Sequence, residues 1–313
     1  MTSNQDQADI GRTLDIFDGV VYGDLFDCAM EAEEVVRFSR QPTSEAQVMT
    51  ASESMQVRSV IGRKGDYFFL KGRDDLVARR EETRARARRL KRRAERVTRW
   101  IQMVPFVRGV LLTGSVAAEA APEDADIDLM IIVAPSRLAL VFLLLGGFSS
   151  LTRRRLYCSN YYLSEDQLVI DRRNLFIAHE IAQARPLSGI ADRFFEANGW
   201  IRDFLPNYEP RASQSDSGRS RGRFQAMLEL PFRGRFGRWS ESMASRLVRR
   251  RLDAHYRGGR SDQKQLVVDQ FQSGRELRFH NQPVLRGLKE RHAEHRSSLE
   301  SAMSQRCDGS GTA

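Results

Sequence analysis

The spacing of apolar positions changes several times along this chain. Thr13 to Phe38 carries helical spacing broken near Gly23, and Thr43 or Ser44 stands where a cap opens a further helix through Met55. Val57–Ile61 and Tyr67–Leu70 are short β-rich runs around Gly62-Arg63-Lys64-Gly65-Asp66, which predicts a hairpin. From Asp74 to Val104, Leu76, Thr83, Ala87, Leu90, Ala94, Val97, Ile101 and Val104 form the narrow seam of one long helix that Pro105 ends. Gly109–Thr113 and Ile127–Val133 are runs of Val, Ile and Leu, as in buried strands, and Leu156–Leu163 predicts a third strand. The dense run Leu138–Phe148 predicts a buried helix, and another helix follows Asn174, with His179 as a packing residue inside it. Further on, Trp239, Met243, Leu247 and Leu252 mark an amphipathic helix, Gln265–Phe271 part of a second, and Val284, Leu285 and Leu288 a third.

These elements predict an α+β protein with a small mixed β-sheet flanked by helices. The helices and hairpin of residues 9–73 have the order of a winged-helix-like domain, joined by a long basic connecting helix, 74–104, to the sheet and following helices of 105–209. Residues 210–223, rich in Ser, Gly and Arg, read as a linker; 224–303 form a helical region, and 304–313 a disordered tail.

Charge adds a partner class. Lys and Arg number 50 against 41 Asp and Glu, a formal net charge of +9, which favours polyanions such as nucleotides or nucleic acids. The long helix holds much of the excess, and its arginines over 79–99 form either a face for nucleic acid or the solvated sides of a connector. The helix that would enter a DNA groove carries Glu45 and Glu53 and no basic residue, which opposes DNA reading. Cys28, Cys158 and Cys307 lack disulfide or zinc spacing, and the polar start MTSNQDQADIGR lacks a signal core, so a reducing, cytoplasmic setting is expected. No apolar run is long enough to span a bilayer, and no membrane partner is expected.

The chemistry concentrates between the first two sheet strands. Gly114 ends one strand where a positive φ suits a tight turn, and Ser115 opens a short Ala-rich helix whose start would suit an anion. Asp126 and Asp128 open the next strand two residues apart, so the strand period turns both to one face, where paired carboxylates suit a hard cation such as Mg2+.

Thr113-Gly114-Ser115, a short gap, then Asp126-Ile127-Asp128 resembles the signature of the DNA polymerase beta-type nucleotidyltransferase superfamily. Asn174 to Gly189 and Phe194 to Asn207 resemble segments that follow the core in bacterial nucleotidyltransferase-domain proteins with an amino-terminal winged-helix-like region; the resemblance covers roughly Leu14 to Asn207. It implies a nucleotidyltransferase core within 105–209. It also implies Asp126 and Asp128 as catalytic residues holding Mg2+, with Gly114 and Ser115 on the phosphates of a nucleoside triphosphate.

Active members bring a third carboxylate from a later strand. The position that would align here is Asn160, an uncharged amide; Asp171 is the catalytic candidate if the sheet brings it round, competing with a role as a capping residue, and Glu165 and Glu180 are weaker choices. Arg153, before the third strand, is either a triphosphate ligand or part of a solvated helix end. Two functions follow: a nucleotidyltransferase acting on an acceptor hydroxyl, or a catalytically weak regulator on the same fold that binds nucleotide or nucleic acid.

Overall fold

The computed structural model describes residues 4–151, 157–211, 218–255, 271, 274–278 and 282–309. The chain opens with α1 (Asn4–Ile16), α2 (Asp18–Asp24), a two-residue strand β1 (Met30–Glu31) and α3 (Ala32–Phe38). Next come α4 (Glu45–Glu53), α5 (Met55–Val60) and the hairpin of β2 (Ile61–Lys64) and β3 (Tyr67–Leu70). Ser44 caps α4 through a reciprocal box with Gln47, as its position predicts. The run Val57–Ile61, expected as a strand, is mostly the helix α5 instead. Ser54 Oγ accepts from the Val57 N–H at 3.3 Å, and this cap outweighs the β preference of two valines. The hairpin turns tightly at Gly65-Asp66, where Gly65 has φ +61°. β3 pairs with both β1 and β2, giving a three-stranded antiparallel sheet of order β1-β3-β2.

The long helix forms as α6 (Asp75–Ile101) and leads into β4 (Val107–Thr113), the single turn α7 (Gly114–Ala117) and β5 (Asp128–Val133). The apolar run becomes α8 (Leu138–Leu151), followed by β6 (Cys158–Ser164), α9 (Leu175–Gln183), β7 (Arg185–Gly189) and α10 (Ala191–Ala197). Asn174 caps α9 by accepting from the Phe176 and Ile177 N–H groups. Beyond residue 217 lie α11 (Gly218–Glu229), α12 (Gly234–His255), β8 (Glu276–Arg278) and α13 (Gln282–Gly309). The second sheet has the order β7-β4-β5-β6-β8 and is mixed: β5 and β6 run parallel, the other neighbours antiparallel.

Strand alternation gives this sheet two buried faces. Leu111, Met130, Ile132, Tyr161 and Leu163 share one core with α9, α10 and the amino-terminal layer. Val110, Leu112, Leu129, Ile131, Val133 and Tyr162 share the other with Ala94, Val97 and Ile101 of α6, with α8, and with Ala244 and Val248 of α12.

The carboxy-terminal region is more than helical, because β8 completes the sheet edge beside β6. It then returns to the start of the chain. Arg296 of α13 reaches Asp18 at 2.8 Å and Asp15 at 2.6 Å, His292 lies 3.4 Å from Asp18, and His295 lies 3.4 Å from Asp24. Residues 218–223, expected as linker, are the first turns of α11, while 212–217 lie outside the described residues. Residues 304–309, expected to be disordered, continue α13 after the fully buried Met303. Of Gln265–Phe271 only Phe271 is described, and it is buried. Among the described residues no helix is long and apolar enough to cross a membrane.

Candidate functional site

The site begins where β4 ends. Thr113 pairs with Asp128 across the β4–β5 ladder, and its Oγ1 donates to the Asp128 carbonyl at 3.4 Å. Gly114 then takes φ +68°, in the left-handed region that favours glycine. A Cβ built there would stand 2.3 Å from Asp128 Oδ2. The Asp128 carboxylate therefore occupies the space that a side chain at position 114 would fill. Only a glycine lets the turn and the carboxylate approach so closely.

Asp126 precedes the strand. The sequence Asp126 exposed, Ile127 buried, Asp128 half-buried carries the two-residue period back beyond β5, and the Ile127 carbonyl accepts from the Cys158 N–H at 2.7 Å. Asp128 lines a cavity of about 700 Å³ together with Thr113, Gly114, Ser115 and Glu180 of α9, while Asp126 stands outside its lining. The inner wall is apolar, with Met30, Phe38, Met130, Phe176 and Ile181 among its residues. Tyr22 and Glu180 both line this cavity, and burial and then the Glu180 carboxylate push the Tyr22 phenol above its usual range.

The other expected residues are placed differently. Asp171 lies in the loop before α9 with its side chain 70 % exposed, 3.3 Å from Arg275, and is not part of the cavity wall. Asn160 falls at a register shift in β6, between Ser159 opposite Leu129 and Tyr161 opposite Met130, and Cys158 is the residue paired with Asp128. Arg153 lies outside the described residues. Glu165 is 3.7 Å from Arg108, away from the cavity lining. Asp27, Glu34 and Glu180 line the cavity with Asp128. Asp27 is paired with Arg73 and Arg79 and Glu34 with Arg80, and of the third-carboxylate candidates Glu180 is the one in the wall, a placement that depends on how α9 packs over the sheet.

Arginines hold the loop that follows α7. Arg80 donates to the carbonyls of Ala118 and Glu119 at 3.2 Å, Arg86 to that of Ala121 at 2.8 Å, and Arg185 to that of Ala117 at 2.8 Å. Arg84 and Arg185 both reach the Glu119 carboxylate at 2.8 Å. Burial pushes the Glu119 carboxyl up, but Arg185, Arg84 and Arg80 outweigh it and hold the group below the usual range. α7 itself is one turn of four residues, too short for much of the helix dipole that draws an anion to a longer helix's start. Its rigidity comes from the guanidinium clamp. Part of the basic helix 79–99 thus faces inward, whereas Arg88, Arg89, Arg92, Arg96 and Arg99 are exposed.

No family model, curated protein or solved structure matches this chain. Arg211 also lines the cavity, a residue that sequence pattern hid inside the expected linker. Burial lowers the pKa values of Arg37, Arg185 and Arg211, and repulsion among the three guanidinium groups lowers them further. An anion beside Arg211 would be stabilised by this crowding.

Proposed function

We propose that this protein is a Mg2+-dependent nucleotidyltransferase that moves a nucleoside monophosphate from a nucleoside triphosphate to an acceptor hydroxyl. The observation that carries the reading is the close approach of the Gly114 turn to the Asp128 carboxylate at the cavity. That cradle and its oxygen donors fit a hard cation: Asp126 and Asp128 would hold Mg2+, which supplies positive charge to phosphate oxygens. In this reading the Gly114–Ser115 turn donates N–H and hydroxyl hydrogens to the β- and γ-phosphates, and Arg211 adds charge from the cavity wall. The acceptor oxygen bonds to the α-phosphorus as the bond to pyrophosphate breaks, and Glu180 on the cavity wall takes the hydroxyl proton.

Isothermal titration with a nucleoside triphosphate and Mg2+ tests the reading. Wild type should bind in a metal-dependent way and Asp126→Ala/Asp128→Ala should not; unchanged binding in the double variant would remove the nucleotide site from this stretch. Glu180→Gln should keep nucleotide binding and lose turnover.

A second reading, a nucleotide- or nucleic-acid-binding regulator on the same fold, is favoured by Asp171 sitting exposed in its ion pair with Arg275. Exposed arginines from Arg88 to Arg99 would serve a polyanion in that case. The order β1-β3-β2 behind α3 to α5 supports a winged-helix-like amino-terminal layer. The packing of α13 against α5, next to the acidic α4, supports docking within the protein as its task rather than DNA reading.

A further inference from the structure

We propose that α12 is an interfacial helix that docks the protein on an anionic lipid surface, independently of what the cavity binds. Phe236, Trp239, Met243 and Leu247 are 52 %, 59 %, 44 % and 45 % exposed. At about 100° per residue they fall within one arc of about 80° along the helix. The face buried against α8 is a different one, carrying Gly237, Ala244 and Val248.

The apolar strip is held in position rather than loose. Phe106 meets Phe232 at 5.8 Å, Phe232 meets Phe236 at 5.6 Å, and Phe236 stacks on Trp239 at 5.8 Å, so a run of rings leads from the core to the surface. Arg235, Arg238, Arg246, Arg249 and Arg250 are all exposed along or beside the strip, and Arg246 lies along Met243 at 3.8 Å. Nearby acids face inward. Glu241 accepts from the Ala139 and Leu140 N–H groups at the start of α8, and Glu229 is bound to Arg108 and the Phe106 N–H. The outward surface thus combines aromatic and aliphatic side chains with guanidinium groups, the combination by which a helix lies in a headgroup layer. A nucleic acid would use the arginines and rings but gain little from Met243 and Leu247, whereas acyl chains accept both. Such association is peripheral and needs no spanning helix.

The test is sedimentation of the full chain with vesicles of phosphatidylglycerol and, separately, of phosphatidylcholine. Binding is expected to the anionic vesicles and not to the zwitterionic ones. Phe236→Ala/Trp239→Ala/Leu247→Ala should weaken it by on the order of tenfold or more. Arg246→Glu/Arg249→Glu should also weaken it, and both variants should keep the wild-type far-UV circular dichroism, because α12 still buries Gly237, Ala244 and Val248 against α8. In wild type, brominated acyl chains should quench a component of tryptophan fluorescence that Trp239→Phe removes. Absence of binding to anionic vesicles, or binding unchanged in the apolar variant, would overturn the proposal. So would light scattering that shows a dimer dispersed by the apolar variant, which would assign the strip to a second copy, or binding of RNA that depends on the same apolar residues.

Discussion

α6 and α12 are both crowded with arginine, yet the first half of α6 turns Arg80, Arg84 and Arg86 inward and α12 turns most of its guanidinium groups outward. Arg80 is 1 % exposed and donates to the Cys28 sulfur, the Glu34 carboxylate and the Ala118 and Glu119 carbonyls. Arg246 and Arg249 are exposed. The difference follows from what each helix faces. The loop after α7 presents backbone carbonyls that need donors once covered, whereas α12 already buries its small residues against α8 and leaves its remaining sides to the surroundings. Composition is similar in the two helices; the unsatisfied acceptors next to them decide the role.

The largest test of this contrast is Arg80→Met. Removing a buried cation while leaving its partners in place should cost roughly 3–5 kcal/mol, read as a fall in the urea midpoint, and on the proposed function the loosened α7 loop should also weaken nucleotide binding. A cost below about 1 kcal/mol would place Arg80 with the surface arginines.

His179 sharpens the inward half at intermediate size. It is fully buried, its ring nitrogens have no hydrogen-bond partner among the described residues, and it stacks on Tyr22 at 3.8 Å. Burial pushes its pKa from 6.5 down to about 3. Below pH 6.5 the unfolded chain therefore takes up a proton that the folded protein refuses, so stability is complete above that pH and declines beneath it. Between pH 7 and pH 5 the loss should be about 2 kcal/mol. Urea titrations at the two pH values should show it, and His179→Phe should remove that part of the dependence while keeping a ring on Tyr22.

The smallest effect belongs to the outward side. Arg88→Ala/Arg92→Ala should change stability by no more than about 0.5 kcal/mol. A larger loss would mean that these exposed side chains hold structure after all, and the division of α6 into two halves would fail.

The sequence made the Gly114–Asp128 approach legible because both halves are local: a glycine where φ must be positive, and a strand whose period fixes the facing side. Long helices and the central strands were readable for the same reason. What stayed hidden depends on distant contacts. β7 contains Pro186, and β8 spans only Glu276–Arg278; both owe their form to a sheet that already offers an edge, not to their own propensity. Glu180 was a weak candidate beside Asp171 because a helix's rotation over a sheet is set by packing, here by Phe176, Ile177 and Ile181 in the core. The end of α13 looked disordered by composition, while Met303 anchors it in the amino-terminal layer.

Asp18 is wholly buried; Arg40 stands 3.8 Å from it, but the guanidinium that hydrogen-bonds it, on Arg296, follows 278 residues later. At about 5–20 residues per second of synthesis, the ribosome needs on the order of 14–56 seconds to deliver that partner. Until then the first layer to emerge holds its buried carboxylate with the more distant Arg40 alone. Strand β6 likewise waits with a bare edge until β8 arrives, and bare edges invite pairing between chains. Translation that stops short of α13 should thus yield an aggregating fragment rather than a smaller folded protein, and a nascent chain of this protein has reason to meet a holding chaperone before α13 is free.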